Sequence, residues 1–251
     1  MPGVLPNQQL QEMIACGQIT AQTPVTAAQI QPASLDLRLG TVAYRVRASF
    51  LPGTHTIEDR LHAFEMHRID LQDGAVLEKG CVYLVPLLEG LALPADVSAA
   101  ANAKSSTGRL DLLTRLITDH GTEFDRIPAG YHGPLYAEIC PRSFSVLART
   151  GMTLNQIRFR DGFCTLSDAA LRDLHEHEPL VSTDAAIQDG LAFSVDLRPI
   201  KNRLVGYRAK PHTGVIDLDN IAGYDAADFW EEVHSTDGQI ILDPGAFYIL
   251  V

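Results

Sequence analysis

Short runs of alternating apolar and polar residues mark the N-terminal part of the chain. Residues 34–39, Ser-Leu-Asp-Leu-Arg-Leu, alternate strictly up to Gly40 and predict a strand. Residues 6–17 instead carry apolar residues at i, i+3 and i+4, which predicts a short amphipathic helix. Further strand candidates, separated by Gly- and Pro-containing turns, are 42–46, 81–87, 135–140, 144–147 and 156–159. This pattern predicts a mainly β fold, either a barrel or a sandwich, with few helices.

Part of this pattern occurs twice. PASLDLRLG at 32–40 is echoed by AFSVDLRPI at 192–200, and LEKGCVYLVP at 77–86 by LDPGAFYILV at 242–251. A helix-like segment also precedes each of the first two matching blocks: residues 8–20 precede 32–40, and residues 169–181 precede 192–200. Matches in the same order at a nearly constant offset predict a tandem duplication.

The duplication predicts a first domain at 1–165 and a partial second copy at 166–251. The second copy lacks a counterpart of residues 100–160, and it stops in an apolar strand, so we expect a fragment of a longer chain. Asp36 recurs as Asp196 in this copy, which favours a structural, hydrogen-bonding role for both carboxylates.

Composition and charge narrow the possible functions. The chain has 251 residues, an apolar fraction of 46% and a formal net charge of −11. Such a charge argues against nonspecific binding to a nucleic-acid polymer, but not against a small anionic ligand. The apolar runs are too short to span a bilayer, and no secretory signal is evident. We therefore expect a cytoplasmic protein with reduced cysteines, which are Cys16, Cys81, Cys140 and Cys164.

The densest polar cluster is Lys104-Ser105-Ser106, followed by Arg109. Two serines at the start of a short helix, flanked by cations, could donate hydrogen bonds to phosphate oxygens. In the alternative interpretation, Ser105 or Ser106 only caps a helix, and Lys104 and Arg109 are solvated.

Four segments, in this order along the chain, resemble the dCTP deaminase/dUTPase superfamily. They are PASLDLRLG at 32–40, AKSSTGRLDL at 103–112, AGYHGPLYAE at 129–138 and GMTLNQIRF at 151–159. The resemblance implies a dUTPase-like distorted β-barrel with a few short helices, here tandemly duplicated. It also implies hydrolytic deamination of dCTP to dUTP without zinc, in homotrimers whose active sites are shared between subunits.

The resemblance also implies roles for individual residues. Glu138 would be the general base, taking a proton from the water that attacks C4 of cytosine and returning it to the leaving amine. Ser105 and Arg109 would hold that water and the developing charge.

A second set of residues would bind the rest of the nucleotide. Lys104, Ser106 and Gln156 would contact the triphosphate, and Tyr131 would pack against the sugar. Mg²⁺ would enter with the phosphates rather than in a dedicated protein site. Lys104 stands where the family usually has Arg, so the charge is kept and the bidentate fork is lost.

The sequence departs from the family just before the Gly-Tyr turn. The sugar-contacting Asp of the family is replaced by Pro128-Ala129, and an apparent insertion at 121–126 precedes it. Asp125 could supply the missing carboxylate from this longer loop, with Glu123 and Asp119 as competing candidates.

The residues of the chain bear on three other functions; some are disfavoured and others stay open. A zinc deaminase needs a Pro-Cys-x-x-Cys that is missing here, and His175 and His177 are better explained as a helix surface than as ligands. A dUTPase is disfavoured by Pro128 and by the missing Gly-rich lid, although a bifunctional enzyme that forms dUMP stays possible. The chain could also be a non-catalytic nucleotide-binding or assembly module.

Overall fold

A computed structural model describes residues 3–162, 165–198, 204–235 and 237–250. The chain forms two compact units, one of residues 1–162 with 209–230 and one of residues 163–208 with 231–251.

The described elements are short and mostly extended. The helices are α1 (Asn7–Ala15), α2 (Ile57–Phe64), α3 (Ser105–Gly108), α4 (Asp168–His177) and α5 (Ala226–Phe229). The strands are β1 (Gly3–Val4), β2 (Ile19–Ala21), β3 (Ile30–Gln31), β4 (Ser34–Arg38), β5 (Val42–Val46), β6 (Glu65–Asp70), β7 (Ala75–Leu77), β8 (Val82–Ala92), β9 (Val97–Ala103), β10 (Leu112–Thr118), β11 (Arg126–Ile127), β12 (His132–Pro141), β13 (Val146–Ala148), β14 (Thr153–Asp161), β15 (Leu204–Ala209), β16 (Ile216–Asp217), β17 (Trp230–His234) and β18 (Tyr248–Leu250). The predicted mainly β class with few short helices is confirmed.

Two six-stranded sheets form the larger unit. One runs in the order β11-β9-β14-β4-β3, with β1 added on β14, and the other in the order β10-β12-β8-β5-β6, with β2 added on β8. A single bridge between Leu39 and Leu87 connects them. Because the edge strands form no ladder with one another among the described residues, both sheets are open. The distorted β-barrel that we expected is therefore not closed.

The predicted strand at 34–39 lies at the centre of this unit. All five residues of β4 are buried, including the polar ones, because the strand is flanked by β14 and β3 and covered on both faces. Gly40 ends it where the chain meets β8: a Cβ at this position would lie 2.5 Å from the carbonyl oxygen of Pro86. The glycine is therefore required by this close approach of two backbones.

Helix α2, which we did not predict, covers one face of the second sheet. Its N-terminus is closed by a capping box, in which Asp59 N–H donates to Thr56 Oγ1 at 3.1 Å and Thr56 N–H donates to Asp59 Oδ2 at 3.2 Å. Ile57 and Leu61 pack on Leu84 and Ile117 of the sheet. The Thr-x-x-Asp capping signal was present in the sequence and could have indicated this helix.

Residues 209–230 return to the larger unit. Strand β16 pairs in parallel with β13, and the guanidinium of Arg149 donates to Asp217 Oδ1 at 2.6 Å and to Asp217 Oδ2 at 2.9 Å. The ring of Phe144 meets those of Phe229 and Trp230 edge-on. The predicted division into 1–165 and 166–251 stays a prediction.

The smaller unit contains α4 and a three-stranded sheet in the order β17-β15-β18. Gly80 and Gly245 both have a positive φ before a strand. However, residues 192–198 have no regular secondary structure, and Val195 is 58% exposed where its counterpart Leu35 is fully buried. Asp196 pairs locally with Arg198 at 2.6 Å. The predicted tandem duplication is therefore not supported; residues 199–200 of the second block lie outside the described residues.

Candidate functional site

A cleft of about 270 Å³ lies where α3 meets the first sheet. Its lining residues are Gln31, Asp36, Lys104, Ser105, Ser106 and Gln156. The structure thus brings together the three residues predicted to contact a triphosphate and one of the predicted catalytic residues, Ser105.

Lys104 is held in this cleft by groups on two strands. Its ammonium donates to Asp36 Oδ2 at 2.5 Å and to Thr153 Oγ1 at 2.8 Å. Asp36 is buried on β4, so the lysine is anchored to an inner strand of the first sheet. Lys104, and not a serine, is the N-cap residue of α3, and the helix has no side-chain cap. The interpretation of the serines as simple caps is therefore wrong.

Ser105 and Ser106 are exposed at the cleft, and Arg109 is exposed at the end of α3. Within the described part of the chain, their hydroxyls and guanidinium form no hydrogen bond or ion pair with other side chains. Hydroxyl and guanidinium groups that are not engaged in the fold can donate to an anionic ligand. Gln156 Oε1 accepts a hydrogen bond from Ser34 Oγ at 3.0 Å, and no described residue accepts one from its amide nitrogen, which could therefore donate to a ligand.

Glu138 lies in the middle of β12, in the second sheet, and is 3% exposed. It is in register with Arg115 of β10 on one side and with Leu84 of β8 on the other. Arg115 forms an ion pair with Oε1 of Glu138 through Nη2, and its Nε donates to the same oxygen at 3.1 Å. A buried carboxylate needs such a partner, because an unpaired buried charge is costly.

The Arg115 side chain is itself held from two directions. Its guanidinium carbon lies 3.7 Å from the centroid of the Phe124 ring, a cation–π arrangement. Its Nη2 also donates to Ser49 Oγ at 3.1 Å. Sequence reasoning missed Arg115; the available signal was a lone cation within the otherwise apolar and threonine-rich segment 112–118.

The Gly-Tyr-x-Gly hairpin has a steric explanation. Gly130 has φ +72°, which disfavours other residues, and a Cβ on Gly133 would lie 2.6 Å from the Tyr131 hydroxyl. That hydroxyl donates to Pro134 O at 2.6 Å and accepts from Asp119 N–H at 3.2 Å. Burial raises the pKa of Tyr131, and the two hydrogen bonds of its hydroxyl hold the hairpin in place.

Asp125 and Tyr131 line a second, larger cleft of about 950 Å³. Asp125 Oδ1 accepts from the N–H of Leu116, the neighbour of Arg115, at 2.7 Å. Burial raises the pKa of Asp125, against the lowering effects of the Leu116 hydrogen bond and of Arg115, and the nearby Glu138 raises it further. The competing candidates Asp119 and Glu123 also line this cleft. Asp119 accepts from Ile57 N–H at 2.7 Å, and Glu123 pairs with Arg126 at 3.0 Å.

The candidate residues therefore form two groups. Lys104, Ser105, Ser106 and Gln156 surround the small cleft, with Arg109 at the end of α3. Glu138, Arg115, Asp125 and Tyr131 lie on the second sheet and the loop beside it. Within the residues that the structure describes, no hydrogen bond joins Glu138 to Ser105 or Arg109, and Glu138 does not line the small cleft.

Other predicted features lie apart from both groups. His175 accepts from Leu180 N–H at 3.0 Å, and His177 lies 2.7 Å from the carbonyl oxygen of Asp173, so both rings bind backbone near the end of α4. Cys16, Cys81 and Cys140 are free thiols, and Cys164 lies outside the described residues. In the part of the chain that the structure describes, no helix is both long and apolar enough to span a bilayer.

Comparison with known proteins places these motifs in one family. Residues 1–163 match the family model of the 2′-deoxycytidine 5′-triphosphate deaminase N-terminal domain, and residues 167–251 match that of its C-terminal domain. The chain is 30% identical over 164 residues to a dUMP-forming dCTP deaminase of Methanoculleus marisnigri, covering 62% of this chain and 79% of that protein. It is 31% identical over 136 residues to a dCTP deaminase of Haloarcula marismortui, covering 53% and 67% of the two chains.

A solved structure agrees with these sequence matches. The crystal structure of 2′-deoxycytidine 5′-triphosphate deaminase from Agrobacterium tumefaciens superposes with a TM-score of 0.94 at 50% identity, over 99% of this chain and 73% of that one. This neighbour fits the predicted dUTPase-like fold. The chain therefore belongs to the 2′-deoxycytidine 5′-triphosphate deaminase family and is a hydrolase that acts on C–N bonds.

Proposed function

We propose that this chain catalyses the hydrolytic deamination of dCTP to dUTP and ammonia, with Glu138 as the general base. The observation that carries the proposal is the buried carboxylate of Glu138 on an inner strand of the second sheet, held through Oε1. In the described part of the chain, no group donates a hydrogen bond to Oε2. A carboxylate with one oxygen fixed and the other free can pass protons to and from a substrate.

The proposed reaction needs two proton transfers through Glu138. The carboxylate takes a proton from water while the water oxygen bonds to C4, and it delivers this proton to N3 as the C4–N3 double-bond electrons move there. It then takes the proton of the new C4 hydroxyl and delivers it to the exocyclic nitrogen. The C4–N bond breaks, ammonia leaves and the C4 carbonyl of uracil forms, so all atoms and charges balance.

The small cleft would bind the phosphates. Lys104, Ser106 and Gln156 offer an ammonium, a hydroxyl and an amide within one concave surface, and Mg²⁺ would enter as part of the substrate. Ser105 and Arg109 would donate to the attacking water and to the charge that develops at C4. Asp125 and Tyr131, which line the larger cleft near Glu138, would contact the sugar. We place this activity in the cytoplasm, as the nucleotide substrate and free thiols suggest.

The separation of the two groups supports an active site shared between subunits. The resemblance implies a homotrimer, and in such an assembly the α3 end of one subunit would meet the Glu138 side of the next. Both groups would then contact one nucleotide, although they lie apart within one chain.

A complementation experiment tests the shared site. We expect S105A and E138Q, each nearly inactive alone, to recover activity when they are mixed, denatured and refolded together. Random assembly would give about a quarter of the sites one intact Ser105 and one intact Glu138 from neighbouring subunits. The measurement is ammonia release relative to wild type refolded in the same way. No recovery, with mixed oligomers shown by mass spectrometry, would contradict the shared site.

Product analysis tests the reaction itself. Incubation of the wild-type chain with dCTP and Mg²⁺ is expected to release ammonia and dUTP in equal amounts, as measured by coupled ammonia detection and anion-exchange chromatography. A chain that binds dCTP without forming any product would instead be a non-catalytic nucleotide-binding module.

The same chromatogram tests a second candidate, the direct formation of dUMP. This candidate is favoured by relatives from Methanoculleus marisnigri and Beutenbergia cavernae, both described as dUMP-forming dCTP deaminases. If the chain forms dUMP directly, dUMP and pyrophosphate accumulate as products. Labelled dUTP added to the reaction should then not be incorporated into the dUMP, because no free dUTP intermediate is formed.

A further inference from the structure

We infer that Arg115 is a positioning residue for Glu138, which fixes one carboxylate oxygen and directs the other toward the attacking water. This inference rests on the proposed deamination and deepens it. It assigns a role to a side chain that the sequence did not single out, and that role does not require contact between Arg115 and the nucleotide.

The contact geometry carries the argument. A free arginine and a carboxylate commonly pair through two parallel hydrogen bonds that engage both oxygens. Here the ion pair through Nη2 and the 3.1 Å hydrogen bond from Nε both converge on Oε1. The carboxylate plane is thereby fixed, while Oε2 keeps its lone pairs for a proton.

The arginine can fix Glu138 only because it is fixed itself. The guanidinium carbon of Arg115 lies over the Phe124 ring, 3.7 Å from its centroid, and Ser49 Oγ accepts a hydrogen bond from Nη2 at 3.1 Å. Phe124 comes from the loop after β10 and Ser49 from the segment after β5, so two segments far apart in sequence converge on one side chain. An arginine needed only to neutralise a buried charge would not require both restraints.

The register of the strands adds a second constraint. Arg115 and Glu138 face each other directly across β10 and β12, so the two side chains leave the sheet on the same face at adjacent positions. The backbone N–H of Leu116, the next residue of β10, donates a hydrogen bond to Asp125 Oδ1 at 2.7 Å. This hydrogen bond holds the loop that contains Phe124 and Asp125 in place. The loop that carries a proposed sugar-contacting carboxylate is therefore the same loop that restrains the arginine.

The experiment compares kcat and KM for dCTP in R115M, R115K and a matched control, R45M. Arg45 lies on β5 of the same sheet and pairs with the exposed Glu78, away from the proposed machinery. We expect R115M to lower kcat by about 100-fold and to change KM by less than about 3-fold, because orientation and not binding is lost. R115K should have a kcat about 10-fold higher than that of R115M, since an ammonium keeps the charge without the planar fork of the guanidinium. R45M should stay within about 2-fold of wild type.

A double variant separates positioning from simple stabilisation. If Arg115 acts through Glu138, R115M/E138Q should be no slower than E138Q alone, because E138Q has already lost the proton-accepting carboxylate that Arg115 orients. A double variant about 100-fold slower than E138Q, or an R115M kcat within about 3-fold of wild type, would overturn the inference. If R115M does not yield folded protein, R115K decides: its kcat should fall about 10-fold at an unchanged KM, and an unchanged kcat would contradict the proposal.

Failure of the proposed function gives a different result. A wild-type chain that forms no ammonia from dCTP overturns the deamination itself. An active wild type with an inactive E138Q and a normal R115M overturns only the role of Arg115.

Discussion

Replacing Glu138 by Gln is expected to lower the rate of ammonia release from dCTP by about 10³-fold, within the range found for loss of a general acid–base group. The amide has nearly the same shape and can still accept from Arg115 through its oxygen, but it cannot take a proton from water. Binding of dCTP should therefore change little, and the loss should appear in kcat. The measurement is steady-state ammonia release together with dCTP binding by calorimetry.

The matched control for this prediction is E78Q. Glu78 is an exposed carboxylate paired with Arg45 at 3.2 Å, so its conversion to an amide should leave kcat within about 2-fold of wild type. An E138Q protein that keeps a tenth or more of the wild-type kcat would exclude Glu138 as the base. The Asp125 carboxyl, whose pKa is raised by burial, would then be the next group to test.

Replacing Glu89 by Ala should produce the largest loss of stability. Glu89 is 2% exposed, and its Oε1 accepts from Arg38 Nε at 2.7 Å and from Gln29 Nε2 at 2.9 Å. Its Oε2 accepts from the Arg38 backbone N–H at 2.7 Å. Removal of the carboxylate leaves a buried guanidinium without its counter-ion, and donors without acceptors. We expect the free energy of unfolding to fall by about 3–5 kcal/mol.

Thermal unfolding measures this effect, with a fall in Tm of about 10 °C for a chain of this size. The control is E78A, which breaks the exposed pair with Arg45 and should cost less than about 1 kcal/mol. Equal losses in E89A and E78A would show that the buried network contributes no more than a surface ion pair. The remaining hydrogen bonds of Arg38, to the carbonyl oxygens of Thr23 and Pro24, stay intact in both variants.

Much of the local structure followed from the sequence. The helix predicted at 6–17 is α1, the strand at 34–39 is β4, and the segment around Ser105 forms a short helix. These elements depend on hydrophobic periodicity and on the positions of Gly and Pro. Both signals act over a few residues, so they can be recognised within a single segment of the sequence. The capping box of α2 is equally local, since it joins Thr56 and Asp59, which are three residues apart.

The family and the reaction class also followed from the sequence, because the motifs at 32–40, 103–112, 129–138 and 151–159 occur in one order. The tandem duplication did not follow. Its matched segments share local patterns, but whether a segment is buried depends on what covers it. Leu35 has strands on both sides and is fully buried, while Val195 belongs to a segment without regular structure and is exposed.

By itself the sequence determined the mainly β class, the short helices and the family, and it predicted which polar residues carry the chemistry. The tertiary structure alone decided that the strands form two open sheets, because alternation shows which side of a strand is apolar and not which strand lies beside it. It likewise decided that Arg115 faces Glu138 and that Asp36 holds Lys104. These pairs join residues 23 and 68 positions apart, and strand register, a property of the folded sheets, is what brings them into contact.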